Sequence, residues 1–439
     1  MKDKAKFALV LIVVAIAVVA LTGGCVKKQE DDSSSERPVR NGTTTVEKQE
    51  DDSSSERPDK NGTTTVEKQE GDSSSERPDK NGTTTVEKQE GDSSSGRLVK
   101  NITTIVERQA KTVDWFHENN KIAFGKWGMD GYVDVFIMNP DGSDKKCLTC
   151  NKPVCPQKHN GNPAWYPSGD YIVFTAEKED NPKEYAQWAI PGSGFNCDLW
   201  VMTSDGEKFY QLTDYPLHMR GIIHPHFSHD GNQLLWAERL GKAEGSSWGE
   251  WALKVADFVV GADGPRLKNI KTYQPGKQHY FYESHAFSSD DNKILFCGNP
   301  DGQSDVGFDI YEMDLGTQEL TNLTSSPDDW DEHAQYSPDG KKIAWISSTG
   351  FDIDFKSIEG HEWMKYLTTE LWIMDADGSN KQRLTYFNEP DYPEYMDGKR
   401  CIVSDISWSP DGKRIITLVA YEGQGFAGLK AKIVIVELE

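Results

Sequence analysis

The sequence predicts an all-β protein: a six-bladed β-propeller of four-stranded blades, preceded by a signal peptide and a disordered repeat stalk. An aromatic residue followed by Ser-Pro-Asp-Gly, or by a variant of it, recurs roughly every 55 residues from about residue 113. A second Asp-Gly turn and a Leu-Thr pair follow in most units. Residues 26–100 lack the apolar periodicity of a folded core. These observations predict three parts, at residues 1–25, 26–100 and 101–439.

The first part has the pattern of an export signal. Three lysines among the first six residues precede an uncharged, largely apolar run from Phe7 to Gly24, and Cys25 follows directly. Small residues before a cysteine resemble a lipoprotein signal, in which Cys25 takes a lipid. The alternative is an uncleaved transmembrane anchor, although the run is short for a span. Both predict a chain that is exported and anchored to the outer side of the cytoplasmic membrane, at the cell surface or in the periplasm.

The second part is a stalk of 20-residue repeats with almost no apolar side chains. Such a unit cannot bury enough surface to offset the entropy of ordering its backbone, so we expect a disordered spacer. Each copy contains one Asn-x-Thr triplet, and the four asparagines are candidates for glycosylation. The alternative is that a common polar triplet was copied with the repeat. The candidates are Asn41, Asn61, Asn81 and Asn101.

The repeated motif of the third part predicts tight hairpins. Its clearest copies are Tyr336–Gly340 and Trp408–Gly412, each an aromatic residue followed by Ser-Pro-Asp-Gly. Proline sets φ for a turn, and Asp-Gly accommodates the left-handed conformation. A second hairpin and a strand that ends in Leu-Thr follow, which gives four antiparallel strands in each unit. Weaker copies begin at Trp115, Trp165, Phe227 and Phe287.

This pattern resembles the TolB-like β-propeller repeat over residues from about 113 to 439. The resemblance implies a propeller, a fold that supports many functions. TolB proper has a separate α/β domain before its propeller, where this chain has the stalk. The last unit supplies only three strands, and open sheet edges promote aggregation. We therefore predict that Ile102–Val106, where the fourth stalk copy gains isoleucines, forms the missing outer strand.

The long insertions predict the binding surface. The Asp-Gly hairpins lie at one end of the strands, here named the hairpin face, whereas the insertions lie at the other end, the loop face. Loops on a rigid scaffold usually carry the binding site, and these loops are rich in aromatic and acidic residues. They could bind a ligand, or the aromatic side chains could simply pack the loops onto the ring. The ligand-binding candidates are Trp188, Trp248, Tyr282, Glu283, Gln335 and Trp363.

Histidines in the first strands predict a second kind of site. First strands surround the channel of a propeller, so His224, His226, His285 and His333 should converge, and we expect them at the mouth on the loop face. They could bind a divalent metal such as zinc or manganese, or only water and one another. Oligogalacturonate lyases are similar in arrangement only, since they use channel histidines on a metal.

The favoured function is therefore a lipid-anchored cell-surface propeller that binds an envelope protein, a glycan or a small ligand through its loop face. The alternative is a metal-dependent enzyme, either a polysaccharide lyase or a hydrolase, with its histidine site at the channel mouth. A third hypothesis is a structural component of the surface layer. The net charge of -23 argues against nucleic acid as a partner, because neutralising phosphates requires clustered basic residues.

Cysteine usage fits an exported chain. Six cysteines follow Cys25, and an oxidising compartment favours disulfides over metal-bound thiolates. The spacing of Cys147, Cys150 and Cys155 would also suit a metal. We favour a disulfide between Cys150 and either Cys155 or Cys197.

Overall fold

The computed structural model describes residues 97–118, 120–217, 220–277, 281–358, 362–422 and 429–439. The predicted lipidation site, Cys25, and three of the four predicted glycosylation sites, Asn41, Asn61 and Asn81, lie outside these residues. The described part forms six four-stranded antiparallel sheets, so the predicted six-bladed propeller is confirmed. Within it, no helix has the length and apolar character needed to cross a membrane.

Five blades take four consecutive strands from the chain, with the strand nearest the channel first. Blade one contains β2 (Ala110–Trp115), β3 (Ile122–Trp127), β4 (Val133–Met138) and β5 (Lys146–Cys147). Blade two contains β6 (Asn160–Trp165), β7 (Tyr171–Glu177), β8 (Cys197–Thr203) and β9 (Phe209–Gln211). Blade three contains β10 (Gly221–Phe227), β11 (Gln233–Ala243), β12 (Ser246–Gly261) and β13 (Gly264–Tyr273).

Blade four contains β14 (Tyr282–Phe287), β15 (Lys293–Gly298), β16 (Asp309–Asp314) and β17 (Leu320–Asn322). Blade five contains β18 (Asp331–Tyr336), β19 (Lys342–Ser347), β20 (Glu370–Asp375) and β21 (Gln382–Arg383). Short 3-10 helices lie in loops at Lys183–Trp188, Phe355–Ser357 and Glu362–Lys365.

Blade six joins the two ends of the described chain. Its strands, from the channel outward, are β22 (Cys401–Trp408), β23 (Arg414–Glu422), β24 (Leu429–Leu438) and β1 (Val99–Val106). The strand of each blade nearest the channel is named its inner strand. The β1 strand runs antiparallel to β24 and pairs Ile102 with Val436. The strand expected over Ile102–Val106 therefore closes the ring and begins three residues earlier. Asn101 lies in this strand with its side chain exposed.

The repeated motif forms hairpins because its side chains satisfy the turn. In blade five, the Ser337 hydroxyl donates to Asp339 Oδ1 at 2.7 Å and accepts from the Lys342 amide at 3.0 Å. Gly340 has φ of 70°, in the left-handed region where a Cβ is strained. The Leu-Thr pair has a similar role: the Thr385 hydroxyl accepts from the Leu371 amide at 3.0 Å and donates to Glu370 at 2.6 Å.

Every inner strand has an irregular register near its middle, of the kind a β-bulge produces. At four of these points a residue other than glycine has a positive φ: Asn162, His224, His333 and Asp405, at 45–53°. Such backbone costs on the order of 1 kcal/mol or more per residue, so the surrounding ring must maintain it. Each bulge re-aims polar side chains toward the channel, which sets the geometry of the site.

Candidate functional site

The channel wall contains two rings of side chains, one from each register position of the inner strands. The mouth ring consists of the residues immediately before the motif aromatic: Asp114, Ala164, His226, Ala286, Gln335 and Ser407. The inner ring consists of the residues two positions earlier: Thr112, Asn162, His224, Ser284, His333 and Asp405. Positions two apart on a strand lie about 6–7 Å from each other. The inner ring therefore lies one layer deeper in the channel.

The mouth ring lines a cavity of about 130 Å³ that opens at the hairpin face. Inner strands run from the loop face to the hairpin face, so their last residues meet at this end. His226 and Gln335 are half-buried there, and His285 also lines the cavity while being only 2% exposed. Histidines therefore converge on the channel, as predicted, but those that reach a mouth do so at the hairpin face and not at the loop face.

Beside the carboxyl group of Asp114, the cavity presents two neutral imidazoles. Burial lowers the pKa of His226 to about 4 and holds that of His285 well below its usual range, so both imidazoles are uncharged at neutral pH. Nε2 of His285 is buried without a hydrogen-bond partner. Buried polar atoms of folded proteins nearly always have one, so this nitrogen indicates a water or ligand position.

A second cluster lies in the deeper layer, where blades three, four and five each contribute one residue. Nε2 of His224 lies 3.2 Å from Oε1 of Glu283, and Nδ1 of His333 lies 3.3 Å from the same oxygen. The two imidazole rings are 5.2 Å apart between centroids. The three side chains are 5%, 0% and 5% exposed for His224, Glu283 and His333 respectively. We name these three residues the inner cluster.

Electrostatics in the inner cluster do not match a simple ion pair. Burial, together with the neighbouring His333 and His226, holds the pKa of His224 well below its usual range. Burial lowers the pKa of His333 to about 3 and, with Glu332 and Asp405 nearby, raises that of Glu283 well above its usual range. The imidazoles are therefore neutral, and neither supplies the positive charge that a buried carboxylate needs. Both carboxylate oxygens of Glu283 are buried without a hydrogen-bond partner.

Other polar groups surround the inner cluster. Nε2 of His333 faces Glu332 Oε2 at 3.7 Å, and burial raises the pKa of Glu332 to about 8. The thiol of Cys297 forms a second group of neighbouring donor atoms with Glu283 and Glu332. Burial raises the pKa of Cys297 well above its usual value, so the thiol stays protonated and is a poor ligand. The sequence did not single out Glu332 or Cys297.

Counting back from the aromatic of each motif would have found these neighbours. Glu332 and Glu283 are both four residues before their aromatic, and Asn162 is three before Trp165, as His224 is before Phe227. Asn162 Nδ2 contacts the His224 ring at 3.4 Å. The signal was therefore the shared register of the blades, because equivalent positions of different inner strands meet at one level of the channel.

The loop face covers the inner ends of blades two and three. The buried segment at residues 190–194 packs across them, and Pro191 lies so close to Gly161 that a Cβ there would come within 2.2 Å of it. The Gly192 amide donates to Asn162 Oδ1 at 2.9 Å. A loop of blade two therefore reaches the inner ring itself, which is consistent with the near-complete burial of His224.

The predicted loop-face aromatics are buried and not available to a ligand on the surface. Trp188, Trp248, Tyr282 and Trp363 are 0–6% exposed. Trp248 and Trp363 pack with Trp330, Phe281 and Phe308, and the Trp330 and Trp363 centroids are 4.5 Å apart. These aromatic side chains pack the loops onto the propeller, which is the alternative role that the sequence left open. Two other candidates, Glu283 and Gln335, lie in the inner cluster and the mouth ring.

The predicted disulfide partner is wrong. Cys150 is bonded to Cys147, three residues earlier, whereas Cys155 and Cys197 are buried free thiols. The β5 strand ends at Cys147 and a turn follows at once, which returns the chain so that the Cα atoms of Cys147 and Cys150 are 5.8 Å apart. The signal in the sequence was the short spacing of this pair.

Comparison with known proteins gives distant similarities. No family model matches the chain. A curated relative is dipeptidyl-peptidase 5 of Porphyromonas endodontalis, 24% identical over 248 residues, which are 49% of this chain and 33% of the relative. The chain therefore spans about a third of that protein's length.

Similar solved structures include TolB from Acinetobacter baumannii, at 16% identity and a TM-score of 0.45, covering 73% of this chain and 65% of TolB. TolB from Agrobacterium tumefaciens is 15% identical, with a TM-score of 0.44 and coverage of 65% and 87%. A gluconolactonase from Xanthomonas campestris is 11% identical, with a TM-score of 0.45 and coverage of 77% and 89%. TolB proteins are thus among the similar structures, while the propeller assignment rests on the strand pairing itself.

Proposed function

We propose that this protein is a ligand-binding propeller that takes a small, uncharged polar group of an envelope partner into the cavity at its hairpin face. The observation that carries the proposal is the convergence of His226, His285 and Gln335 on one cavity, where the buried Nε2 of His285 has no hydrogen-bond partner. Neutral imidazoles and an amide are suited to a hydroxyl or amide group, because they offer both donors and acceptors.

The volume of the cavity limits what can enter it. About 130 Å³ equals the space of roughly four water molecules, whereas sites for drug-sized ligands occupy about 300–1,000 Å³. A sugar chain does not fit, but one side chain of a protein with a hydroxyl or amide group does. The rest of the partner would lie on the hairpins, where His117 and His229 flank the opening.

The burial of the inner cluster argues against the alternative of a polysaccharide lyase. Such an enzyme must admit a polymer to its metal, yet the inner cluster is at most 5% exposed. At the loop face, residues 190–194 and the buried aromatic cluster cover the inner strands. Binding therefore accounts for the geometry better than catalysis on a polymer.

The proposed location is the cell envelope, outside the cytoplasmic membrane, with lipid anchoring at Cys25. The anchor rests on the leader sequence, since Cys25 lies outside the described residues. The Cys147–Cys150 disulfide supports export, because such bonds persist in oxidising compartments and are rare in the cytosol.

A screen of the full chain against arrays of envelope peptides and glycans would identify the partner. For the ligand found, we expect Gln335→Ala and His226→Ala to weaken binding about 10-fold each, the value of one buried hydrogen bond. The matched control is Tyr366→Ala, which removes a loop-face aromatic that is 53% exposed. Loss of binding in Tyr366→Ala, with normal binding in Gln335→Ala and His226→Ala, would contradict the proposal and would indicate a binding site on the loop face.

A further inference from the structure

The inner cluster has the spacing of a metal site. Its donor atoms all lie within 4.8 Å of one another. Zinc bonds of about 2.0–2.1 Å in a tetrahedron place neighbouring ligand atoms about 3.3 Å apart. The two distances from Glu283 Oε1, 3.2 Å to His224 Nε2 and 3.3 Å to His333 Nδ1, match that edge.

A metal ion would also compensate the charge of an ionised Glu283. Glu283 is fully buried, and neither of its carboxylate oxygens has a hydrogen-bond partner. A buried carboxylate without hydrogen bonds or a counter-ion is costly. A divalent cation between the three side chains would supply the charge and give the orphaned oxygen a bond.

The surroundings have the form that supports a metal ligand. A histidine on a metal commonly directs its other ring nitrogen to a carboxylate, which fixes the tautomer and the ring orientation. His333 is oriented in this way, with Nδ1 toward Glu283 Oε1 at 3.3 Å and Nε2 facing Glu332 Oε2 at 3.7 Å, slightly beyond hydrogen-bond distance. The backbone contributes as well, because His224 and His333 have φ of 48° and 53° at their bulges. Asn162 and Asp405 share this conformation, so it serves the whole ring and not the cluster alone.

We propose that His224, Glu283 and His333 bind one Zn²⁺ ion inside the channel, one layer below the mouth cavity. Two imidazoles and one carboxylate form a nitrogen-rich set that suits zinc and not magnesium or calcium, which prefer oxygen. Three protein ligands leave a fourth position. Of the four histidines predicted as ligands, His226 and His285 belong to the mouth layer and take no part. This site goes beyond the proposed ligand binding and does not depend on it.

Metal content tests the proposal. The full chain, without a polyhistidine tag, is purified without chelator, and its zinc is measured by mass spectrometry. Chelator-treated protein is then titrated with zinc chloride in competition with a chromophoric chelator. We expect one zinc per chain in both experiments. Absence of zinc from the purified protein, together with no uptake in the titration, would overturn the assignment.

Variants locate the ion. Glu283→Gln keeps the shape but removes the negative ligand, and we expect zinc affinity to fall at least about 100-fold. Glu332→Gln, which acts through His333, should weaken affinity about 10-fold. The matched control is His226→Gln, which changes a channel histidine of the mouth ring and should bind zinc as the parent does. Equal affinity in Glu283→Gln and the parent, or equal loss in His226→Gln, contradicts the site.

A thermal measurement keeps the test independent of folding defects in one variant. Chelator should lower the Tm of the parent and leave that of Glu283→Gln unchanged, because only the parent loses a bound ion. If Glu283→Gln does not fold, His224→Gln replaces it in the same comparison. A parent Tm that chelator does not change would overturn the proposal even without a variant. The zinc measurements do not depend on ligand binding at the mouth cavity, so either proposal can be contradicted without the other.

Discussion

The two sides of the channel wall use the same register but satisfy their polar side chains differently. Between blades six, one and two, side chains accept hydrogen bonds from the backbone of the neighbouring inner strand. The acceptors are Asp405 for the Val113 amide at 3.2 Å, Thr112 for the Asn162 amide at 3.2 Å, and Asp114 for the Trp165 amide at 2.7 Å. Between blades three and four the direction is reversed, since the Ser284 hydroxyl donates to the His224 carbonyl at 2.7 Å.

On that second side, polar atoms of Glu283, Glu332 and His285 are buried without partners. Both sides contain buried carboxylates, such as Asp405 on the first and Glu283 on the second, so burial alone does not mark a site. The difference is whether the neighbouring strand provides a partner. Where it does, the polar residue joins two blades; where it does not, the residue is available for a ligand or an ion. Three substitutions distinguish these roles, ordered here from the largest expected effect to the smallest.

Asp114→Ala should destabilise the side of the channel formed by blades six, one and two, here named the joined side. The change leaves the Trp165 amide and the Ser407 hydroxyl without their acceptor, since both donate to this carboxylate at 2.7 and 3.2 Å. We expect the free energy of unfolding to fall by about 3 kcal/mol, because each buried unsatisfied group costs about 1–3 kcal/mol. Urea unfolding measures it, with the exposed Asp263→Ala as control. A loss below about 0.5 kcal/mol would show that these bonds do not hold the blades together.

His159 should make the joined side sensitive to acid. Its Nδ1 accepts from the Val133 amide at 3.1 Å, and burial lowers its pKa to about 3. Below the unfolded pKa of about 6.5 the unfolded chain binds a proton that the folded chain does not, so stability falls as pH decreases from 6.5 toward 3. At pH 5 the loss from this residue is about 2 kcal/mol.

Unfolding of the parent and of His159→Gln at pH 5 and pH 7.5 checks this contribution. The variant should lose less stability between the two pH values, because it has no imidazole to titrate. An identical pH dependence in both proteins would contradict the assignment of His159 as a buried neutral group. Unlike His285, whose Nε2 is unpaired, His159 has a backbone partner and serves the fold.

Glu283→Gln, measured in chelator, should give the smallest effect and the opposite sign. In zinc-free protein the substitution removes a buried carboxylate that has no hydrogen bond. We expect the free energy of unfolding to stay the same or to rise by up to about 1 kcal/mol, since an amide of the same shape replaces a carboxyl group whose ionisation burial disfavours. A decrease as large as that of Asp114→Ala would mean that Glu283 joins blades and that the two sides are alike.

The sequence predicted the fold well because each blade repeats a local signal. Ser337, Asp339 and Gly340 satisfy their own hairpin, and the Thr385 hydroxyl bonds within its own blade, so these signals are read without long-range information. The position of β1 also followed from local composition, since Ile102 and Ile105 give this stretch strand character.

The site was predicted only in part because it depends on contacts between blades. The histidines were found, but the layer of each one depends on the bulges, which shift the register of His224 relative to His226. Coverage of the loop face was not predicted, since the contact of Pro191 with Gly161 joins two distant stretches. Burial of Trp248 and Trp363 has the same origin, because aromatic composition does not tell a packed loop from an exposed one.

The β1 strand has a mechanical consequence. It follows the predicted stalk directly, so any tension between a membrane anchor and the propeller would act on the ladder between β1 and β24. Removal of residues before Val99 leaves a closed toroid, whereas removal of Val99–Val106 exposes the edge of β24 with its row of isoleucine and valine residues. In the anchored protein proposed above, the strand next to the tether would also be the strand that closes the propeller. Cleavage upstream of it would release an intact domain, and cleavage within it would yield a domain prone to self-association.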